Sequence, residues 1–187
     1  MKSFLIIAAS FVLLISSCRK NKPVNPIDQL PPETQTGANT FGCLVNGEVF
    51  KPGGLQLSGG SLSCVYQLIY RNTTDGYVFG ISGGKRGSNS EIKDVGFRLD
   101  STQVIEGKTY NLGKQIKGDG YGQYSYYGTI GSGTIYQTND IFKGSVTFKK
   151  FDLANQIASG TFWFNAVNPN GDTVKIRDGR FDGRYTR

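Results

Sequence analysis

The chain has 187 residues and a formal net charge of +7 at pH 7, from 21 Lys and Arg against 14 Asp and Glu, and it contains no His. The lack of His excludes Ser-His-Asp and Cys-His nucleophilic systems and His-containing metal sites. We therefore predict a protein that is not an enzyme, with no catalytic residues, metal or cofactor. Basic residues occur singly or in pairs such as Lys149-Lys150. We interpret them as a solvated face and expect no nucleic-acid partner.

Residues 1–17 are typical of a secretory signal peptide, with Lys2 before an apolar run and the small residues Ser16 and Ser17 at its end. The apolar run is too short to span a bilayer core of about 30 Å as a helix. Residues 14–18 (LISSC) resemble a bacterial lipobox in its looser Bacteroidota form, and the resemblance implies lipidation of Cys18. Several acyl chains anchor a protein stably. The alternative is an ordinary cleaved signal with a chance cysteine.

The segment after the lipobox predicts a tether and a position in the envelope. Residues 18–40 hold four of the six prolines and few large apolar side chains, so we predict a lipidated cysteine followed by a flexible tether. Residues 41–187 then form a single domain. We expect attachment to the cell outer membrane through the lipid. The basic residues at 19–22 favour the periplasmic face over the surface.

Short alternating runs between turns rich in Gly, Asn and Asp predict an all-β domain with almost no helix after residue 18. The first hairpin turns at Asn46-Gly47, where both residues favour positive φ. Further strands are expected near 62–71, 77–82, 95–99 and 108–112. The last third reads as a meander. In total we predict roughly nine or ten antiparallel strands in a β-sandwich or a flattened barrel.

The final strand changes its inward parity between Ile176 and Phe181. A one-residue β-bulge across Asp178-Gly179, with the glycine in the left-handed conformation, accounts for the change. In the strand before it, Trp163 faces opposite Phe162 and Phe164. We predict that Trp163 packs in a second layer rather than lying exposed.

The segment 118–138 is rich in Tyr and Gly and is the predicted ligand contact. Aromatic faces beside amides and hydroxyls suit sugar stacking or a protein contact. The alternative is a hairpin that partly covers the core. The tyrosines concerned are Tyr121, Tyr124, Tyr126, Tyr127 and Tyr136.

Two cysteines remain besides the one at the lipobox. In an oxidising compartment Cys43 and Cys64 form an even pair that could be bridged. The alternative is two buried thiols, because both residues lie in apolar strand patterns. Glycoside hydrolysis needs only two carboxylates, but most acidic residues stand beside Gly or Asn, where Asp serves turn geometry.

Two stretches carry a family resemblance: residues 36–47 (TGANTFGCLVNG) after the proline-containing segment, and 144–185 with its DGRFD end. Together they resemble small Bacteroidota lipoproteins of unassigned function, which implies an exported β-rich domain. Our first hypothesis is a lipid-anchored, non-catalytic envelope module that binds a glycan, a small ligand or an envelope protein. The alternatives are a carboxylate-based glycan or peptidoglycan hydrolase and a purely structural lipoprotein.

Overall fold

The computed structural model describes residues 25–54, 61–69, 76–87, 89–128 and 133–187, so the predicted signal peptide and Cys18 lie outside the described residues. Within the described ranges the chain forms a 3-10 helix and eleven β-strands. The helix is Pro26–Gln29, and the strands are β1 Thr40–Val45, β2 Glu48–Phe50, β3 Leu62–Ile69, β4 Gly76–Arg86, β5 Ile92–Leu99, β6 Thr109–Leu112, β7 Gly120–Tyr127, β8 Gly133–Gln137, β9 Gly144–Asp152, β10 Ile157–Val167 and β11 Thr173–Arg184. None of the helices in this described part is long and apolar enough to cross a bilayer.

All eleven strands belong to one sheet, in the order β2-β1-β11-β10-β9-β6-β7-β5-β4-β3, and β8 pairs with β7 and β10. Neighbouring strands are antiparallel, except that β6 and β7 meet in parallel. The two ends of the sheet are joined by isolated bridges, Gly53 with Lys85 and Val65 with Thr186. The sheet therefore curls onto itself, which confirms the predicted all-β class of sandwich or flattened barrel.

The core lies between two halves of this curled sheet, one built from β1, β11, β10 and β9 and the other from β7, β5, β4 and β3. Aromatic rings meet across it: Phe79 lies 4.9 Å from Phe148, and Phe97 lies 5.4 Å from Phe162, centre to centre. These side chains come from alternate positions of their strands, so the intervening residues face outward. Each half thus presents an outer face whose side chains do not belong to the core.

The sequence predicted most of these strands. The Asn46-Gly47 turn joins β1 and β2 with φ of 50° and 88°, as expected for a hairpin turn with positive φ at both positions. The last three strands form the predicted meander. The count is eleven rather than nine or ten, because the Tyr-rich segment forms two full strands, β7 and β8.

The predicted bulge in the last strand is present, although its conformation differs from the prediction. Against β10, the partners of Phe162 and Phe164 are Gly179 and Ile176, so β11 carries one extra residue there. The same shift appears against β1. The left-handed residue is Asp178, with φ of 52°, and not Gly179. Gly179 is needed for close approach instead, since a Cβ there would lie 2.6 Å from the carbonyl oxygen of Phe162.

The predicted flexible tether is wrong for its described part. Residues 25–39, which we call the N-terminal strap, pack against the domain: Leu30 is buried, and Pro31 lies against Gly42. Arg180 donates to the carbonyl oxygen of Pro31 at 3.2 Å. Glu33 forms ion pairs with Lys149 and Arg180. The strap thus crosses the outer face of β9, β10 and β11 before it enters β1.

The Asp182 carboxylate fastens the end of the strap. It accepts hydrogen bonds from the Thr34 hydroxyl at 2.6 Å and from the N–H groups of Thr36, Gly37 and Ala38 at 3.0, 2.7 and 3.2 Å. Burial raises the pKa of Asp182, but these hydrogen bonds outweigh burial and hold that pKa below its usual value. A polar segment therefore stays ordered because one buried carboxylate satisfies its donors.

Candidate functional site

The five predicted contact tyrosines do not form one surface. Along β7, Tyr124 and Tyr126 face the core side, whereas Tyr121 and Tyr127 face outward, because side chains alternate along a strand. Tyr124 is 9% exposed, and its ring lies 5.7 Å from that of Tyr136 on β8. Of the five, only Tyr127 is an exposed residue. The Tyr-rich segment is a hairpin whose tyrosines are divided between two environments.

One of these environments is a groove on the outer face of β3, β4, β5 and β7. It has a volume of about 310 Å³. We call it the sheet-face groove, and its polar lining consists of Ser63, Gln67, Ser82, Asp94, Arg98, Tyr121 and Gln123. Pairing of the four strands fixes the order of these side chains. Ser63, Ser82, Gly96 and Gln123 are cross-strand neighbours in one row, and Val65, Gly80, Arg98 and Tyr121 follow in the next.

Two glycines create the depression. A Cβ at Gly96 would lie 2.5 Å from the carbonyl oxygen of Ile81, so a larger residue there would force the strands to shift. At Gly80 a Cβ would meet no atom within 4 Å. Gly80 therefore leaves space that a side chain would otherwise fill, and a ligand can approach the backbone of the floor.

Asp94 is the main charged group of the groove. It is half-buried, and burial raises its pKa to about 6, although a hydrogen bond with Ser82 works in the opposite direction. No Lys or Arg of the described ranges forms an ion pair with it. The groove thus holds a carboxylate whose burial is only partly compensated within the protein. Such a group gains from a ligand that donates hydrogen bonds.

Three further polar side chains line the groove together with Asp94, and hydrogen bonds hold two of them, Arg98 and Gln123. Arg98 donates from Nε to Oδ1 of Asp100 at 2.7 Å. Gln123 donates to the Ser125 hydroxyl at 3.0 Å and accepts from Gln137 at 2.9 Å. Burial raises the pKa of Tyr121, so its phenol stays neutral at pH 7 and can both donate and accept. The groove therefore carries an aromatic ring, an amide and a guanidinium along its length in addition to the Asp94 carboxylate.

Tyr124 lines a second cavity, which lies between the β1–β2 hairpin and the adjoining ends of β4 and β5. We call it the hairpin cleft; its volume is about 280 Å³, and it is lined by Val45, Glu48, Lys85, Glu91, Lys93 and Tyr124. The Tyr126 hydroxyl donates to Glu91 at 3.3 Å, and Lys93 lies 3.6 Å from the same carboxylate. Two carboxylates, Glu48 and Glu91, therefore share one cleft.

Trp163 differs from its prediction. It is 44% exposed on the outer face of β10 instead of packed in a second layer. The strap crosses the same outer face, and its Glu33 lines a cavity together with Trp163. The guanidinium of Arg177 lies over the indole, 5.4 Å from the ring centre. Trp163 is thus available at the surface, with one face of its ring packed against Arg177.

The two cysteines are free and buried, which contradicts the bridge and agrees with the alternative of two thiols. Cys43 lies on β1 between the partners of Arg177 and Arg180, so it is level with that part of β11. The Cys64 side chain lies against Gly183, further along β11. At least three residues of β11, about 10 Å, separate these levels. A disulfide requires Cα atoms within about 7 Å.

Most of the groove was missed at the sequence level. Alternation along β5 indicates that Asp94, Gly96 and Arg98 share one face, but no local signal says which strands lie beside them. In the described ranges there is no group of three or more Cys, Asp or Glu that could hold a metal ion. Asp94 lines the groove and Asp182 binds the strap, and both positions depend on contacts between residues far apart in sequence.

Comparison with known proteins assigns a family. Residues 72–183 match the family described as Domain of unknown function (DUF6252). This span is more than half of the chain and covers the sheet from β4 to β11, including Asp94, Arg98, Tyr121 and Trp163. The chain therefore belongs to the DUF6252 family. No curated protein and no solved structure matches it.

Proposed function

We propose that this DUF6252 member is a lipid-anchored, non-catalytic module of the bacterial cell envelope that binds a glycan in its sheet-face groove. The LISSC segment at 14–18 supports lipidation of Cys18, and with it attachment to the outer membrane. The basic residues that follow favour the periplasmic face. The groove supports the binding role.

The observation that carries the proposal is the half-buried Asp94 carboxylate, which has no ion-pair partner in the described ranges and lines the same groove as Gly80, where a side chain is missing. A sugar offers adjacent hydroxyl donors for such a carboxylate. Its C–H face packs on an aromatic ring, for which Tyr121 is placed, and Gln123 supplies an amide. The volume of about 310 Å³ suits one or two sugar rings.

A glycan array with the full chain in detergent tests the binding role. Gly80→Leu fills the groove without a backbone clash, and Asp94→Ala and Tyr121→Ala remove its two main contacts. Each should weaken binding about tenfold or more. The matched controls are Gly53→Leu, at another glycine where a Cβ meets no atom, and Tyr127→Ala, on the same face of β7 but outside the groove.

Two results would contradict the groove as the binding site: a glycan bound equally well by Gly80→Leu, or no glycan bound at all. The second result would favour an envelope protein as partner or a purely structural lipoprotein. The anchor is tested separately. Membrane fractionation should show Cys18→Ser released into the soluble fraction, while the unaltered chain partitions into detergent.

The second candidate function is a hydrolase that acts on glycan or peptidoglycan through two carboxylates. The hairpin cleft favours it, because Glu48 and Glu91 line the same cavity beside Tyr124. Release of reducing ends from peptidoglycan and from soluble glycans would measure such an activity. If it exists, Glu48→Gln and Glu91→Gln each abolish it, whereas Gly80→Leu leaves it unchanged. Without any release, the non-catalytic proposal stands.

A further inference from the structure

We propose a second saccharide-binding site, built on Trp163, on the outer face of β9, β10 and β11. We call it the Trp163 platform. It borders a cavity of about 290 Å³ lined by Glu33, Ser145, Thr147, Thr161, Trp163, Asp178 and Arg180. None of these residues belongs to the sheet-face groove, which lies on the other half of the sheet. The platform can therefore be tested independently of the sheet-face groove.

The indole is exposed, and a guanidinium packs on one of its faces. Arg177 donates to the carbonyl oxygens of Phe164 and Ile176 at 3.1 and 2.8 Å, and to Asn165 Oδ1 at 2.6 Å. This fixed guanidinium lies over one face of Trp163. A ligand can stack on the opposite face, and an aromatic side chain loses little conformational entropy on binding because it has only two χ angles. A solvent-facing indole is a favourable surface for the C–H face of a sugar ring.

The bulge in β11 supplies a carboxylate at the same place. Trp163 lies between Phe162 and Phe164, and it therefore faces the extra residue of β11 directly. Two residues of β11, Arg177 and Asp178, therefore lie opposite Trp163. Asp178 has a φ of 52°, and it lines the cavity. Bulges re-aim side chains, and strained backbone is retained where the surrounding structure fixes it. An acceptor for sugar hydroxyls is thus fixed beside the stacking surface.

Hydroxyl groups and the strap complete the site. Ser145 pairs with Trp163, and Thr161 pairs with both Thr147 and Arg180, so their side chains point to the same outer face. Glu33 contributes the wall from the strap. Its position depends on the ion pairs with Lys149 and Arg180 and on the fastening of the strap by Asp182. The platform is therefore complete only when the strap is in place.

Tryptophan fluorescence tests the platform directly, because Trp163 is the only tryptophan in the chain. The full chain in detergent is titrated with chitohexaose, maltohexaose, xylohexaose and cellohexaose up to about 10 mM, which covers weak affinities. Stacking should shift the emission to the blue with saturation and lower acrylamide quenching about twofold. If none of the four oligosaccharides causes a saturable change, the proposal is overturned.

Variants locate the signal. Asp178→Asn and Glu33→Ala should weaken the saturable change about fivefold to tenfold, whereas Gly80→Leu should leave it unaltered. For Trp163→Ala, saturation-transfer NMR on the oligosaccharide replaces fluorescence and should show loss of binding. If the Gly80→Leu chain loses the fluorescence change, the signal arises from the groove, and the platform proposal is overturned. Loss of array binding alone would contradict only the groove.

Discussion

The carboxylate of Asp182 accepts a hydrogen bond from the backbone N–H of Gly37 at 2.7 Å, across 145 positions of sequence. Its second oxygen accepts from Thr34, Thr36 and Ala38. A carboxylate can satisfy such a ring of donors because both of its oxygens are acceptors. This contact joins the N-terminal strap to the last strand and gives the Trp163 platform its wall.

Asp182→Asn should loosen the strap, because one oxygen becomes an NH₂ group that faces N–H and O–H donors. We expect a loss of about 2–3 kcal/mol in the free energy of unfolding at pH 7, measured by urea titration. Cleavage at Glu33 by a glutamate-specific protease should also become faster. The control is Asp152→Asn, whose carboxylate is exposed and accepts only within its own turn. Equal protease resistance in both variants would contradict the role of Asp182.

The same contact makes the strap sensitive to acid. The pKa of Asp182 is lower in the folded protein than in the unfolded chain. The contribution of Asp182 to the free energy of unfolding is therefore complete above the usual carboxyl pKa of about 4. It is lost as the pH falls through the pKa that Asp182 has in the folded protein. The difference in the free energy of unfolding between the unaltered chain and Asp182→Asn should shrink as the pH falls from about 5 to 2. Urea titrations at intervals of about one pH unit measure it. A difference that stays constant over that range would argue against it.

Asp94 should affect the pH dependence of stability in the opposite direction to Asp182. Its pKa is raised to about 6 in the folded state, so ionisation destabilises the fold progressively between pH of about 4 and 6, and fully above. Asp94→Asn removes this effect. We expect the variant to be more stable than the unaltered chain by about 1–2 kcal/mol at pH 7.5 and equal to it at pH about 4.

NMR titration of the Asp94 carboxyl carbon gives the direct measurement. Ser82→Ala removes the hydrogen bond that lowers the pKa, so it should move the titration midpoint upward. A midpoint near the ordinary carboxyl value of about 4 would show that the groove leaves Asp94 solvated. It would also remove the main support for a ligand-binding role of that carboxylate.

Local pattern predicted this fold well where side chains alternate and turns have clear chemistry. The Asn46-Gly47 hairpin and the final meander are of this kind. Local pattern failed where the structure of a segment depends on contacts with residues far away in sequence. The polar strap is ordered only because Asp182 and Leu30 find partners in the sheet, and nothing within 25–39 signals that. Likewise, the groove depends on strand order, which places Tyr121 of β7 beside Arg98 of β5.

The bulge illustrates the same limit within five residues. Parity predicted its position, and the general preference of glycine for positive φ assigned the wrong residue. Gly179→Ala should cost about 2–4 kcal/mol, because its Cβ would lie 2.6 Å from the Phe162 carbonyl oxygen and 2.7 Å from its ring. Asp178→Gly, at the residue with φ of 52°, should change stability by less than about 1 kcal/mol. Urea unfolding of both variants measures this, and the reverse order would contradict the assignment.

The buried thiols give the last prediction. Burial raises the pKa of Cys64 to about 12 and that of Cys43 still further, so both remain protonated and poorly reactive at neutral pH. In the native protein, iodoacetamide should modify either residue at least about a hundredfold more slowly than in urea, as measured by peptide mass spectrometry. Exposed Cys controls introduced at Thr173 and Lys175 should react at the same rate in both conditions. A Cys43–Cys64 cross-linked peptide from a non-reducing digest would contradict the prediction, because β11 holds the two residues about 10 Å apart along its length.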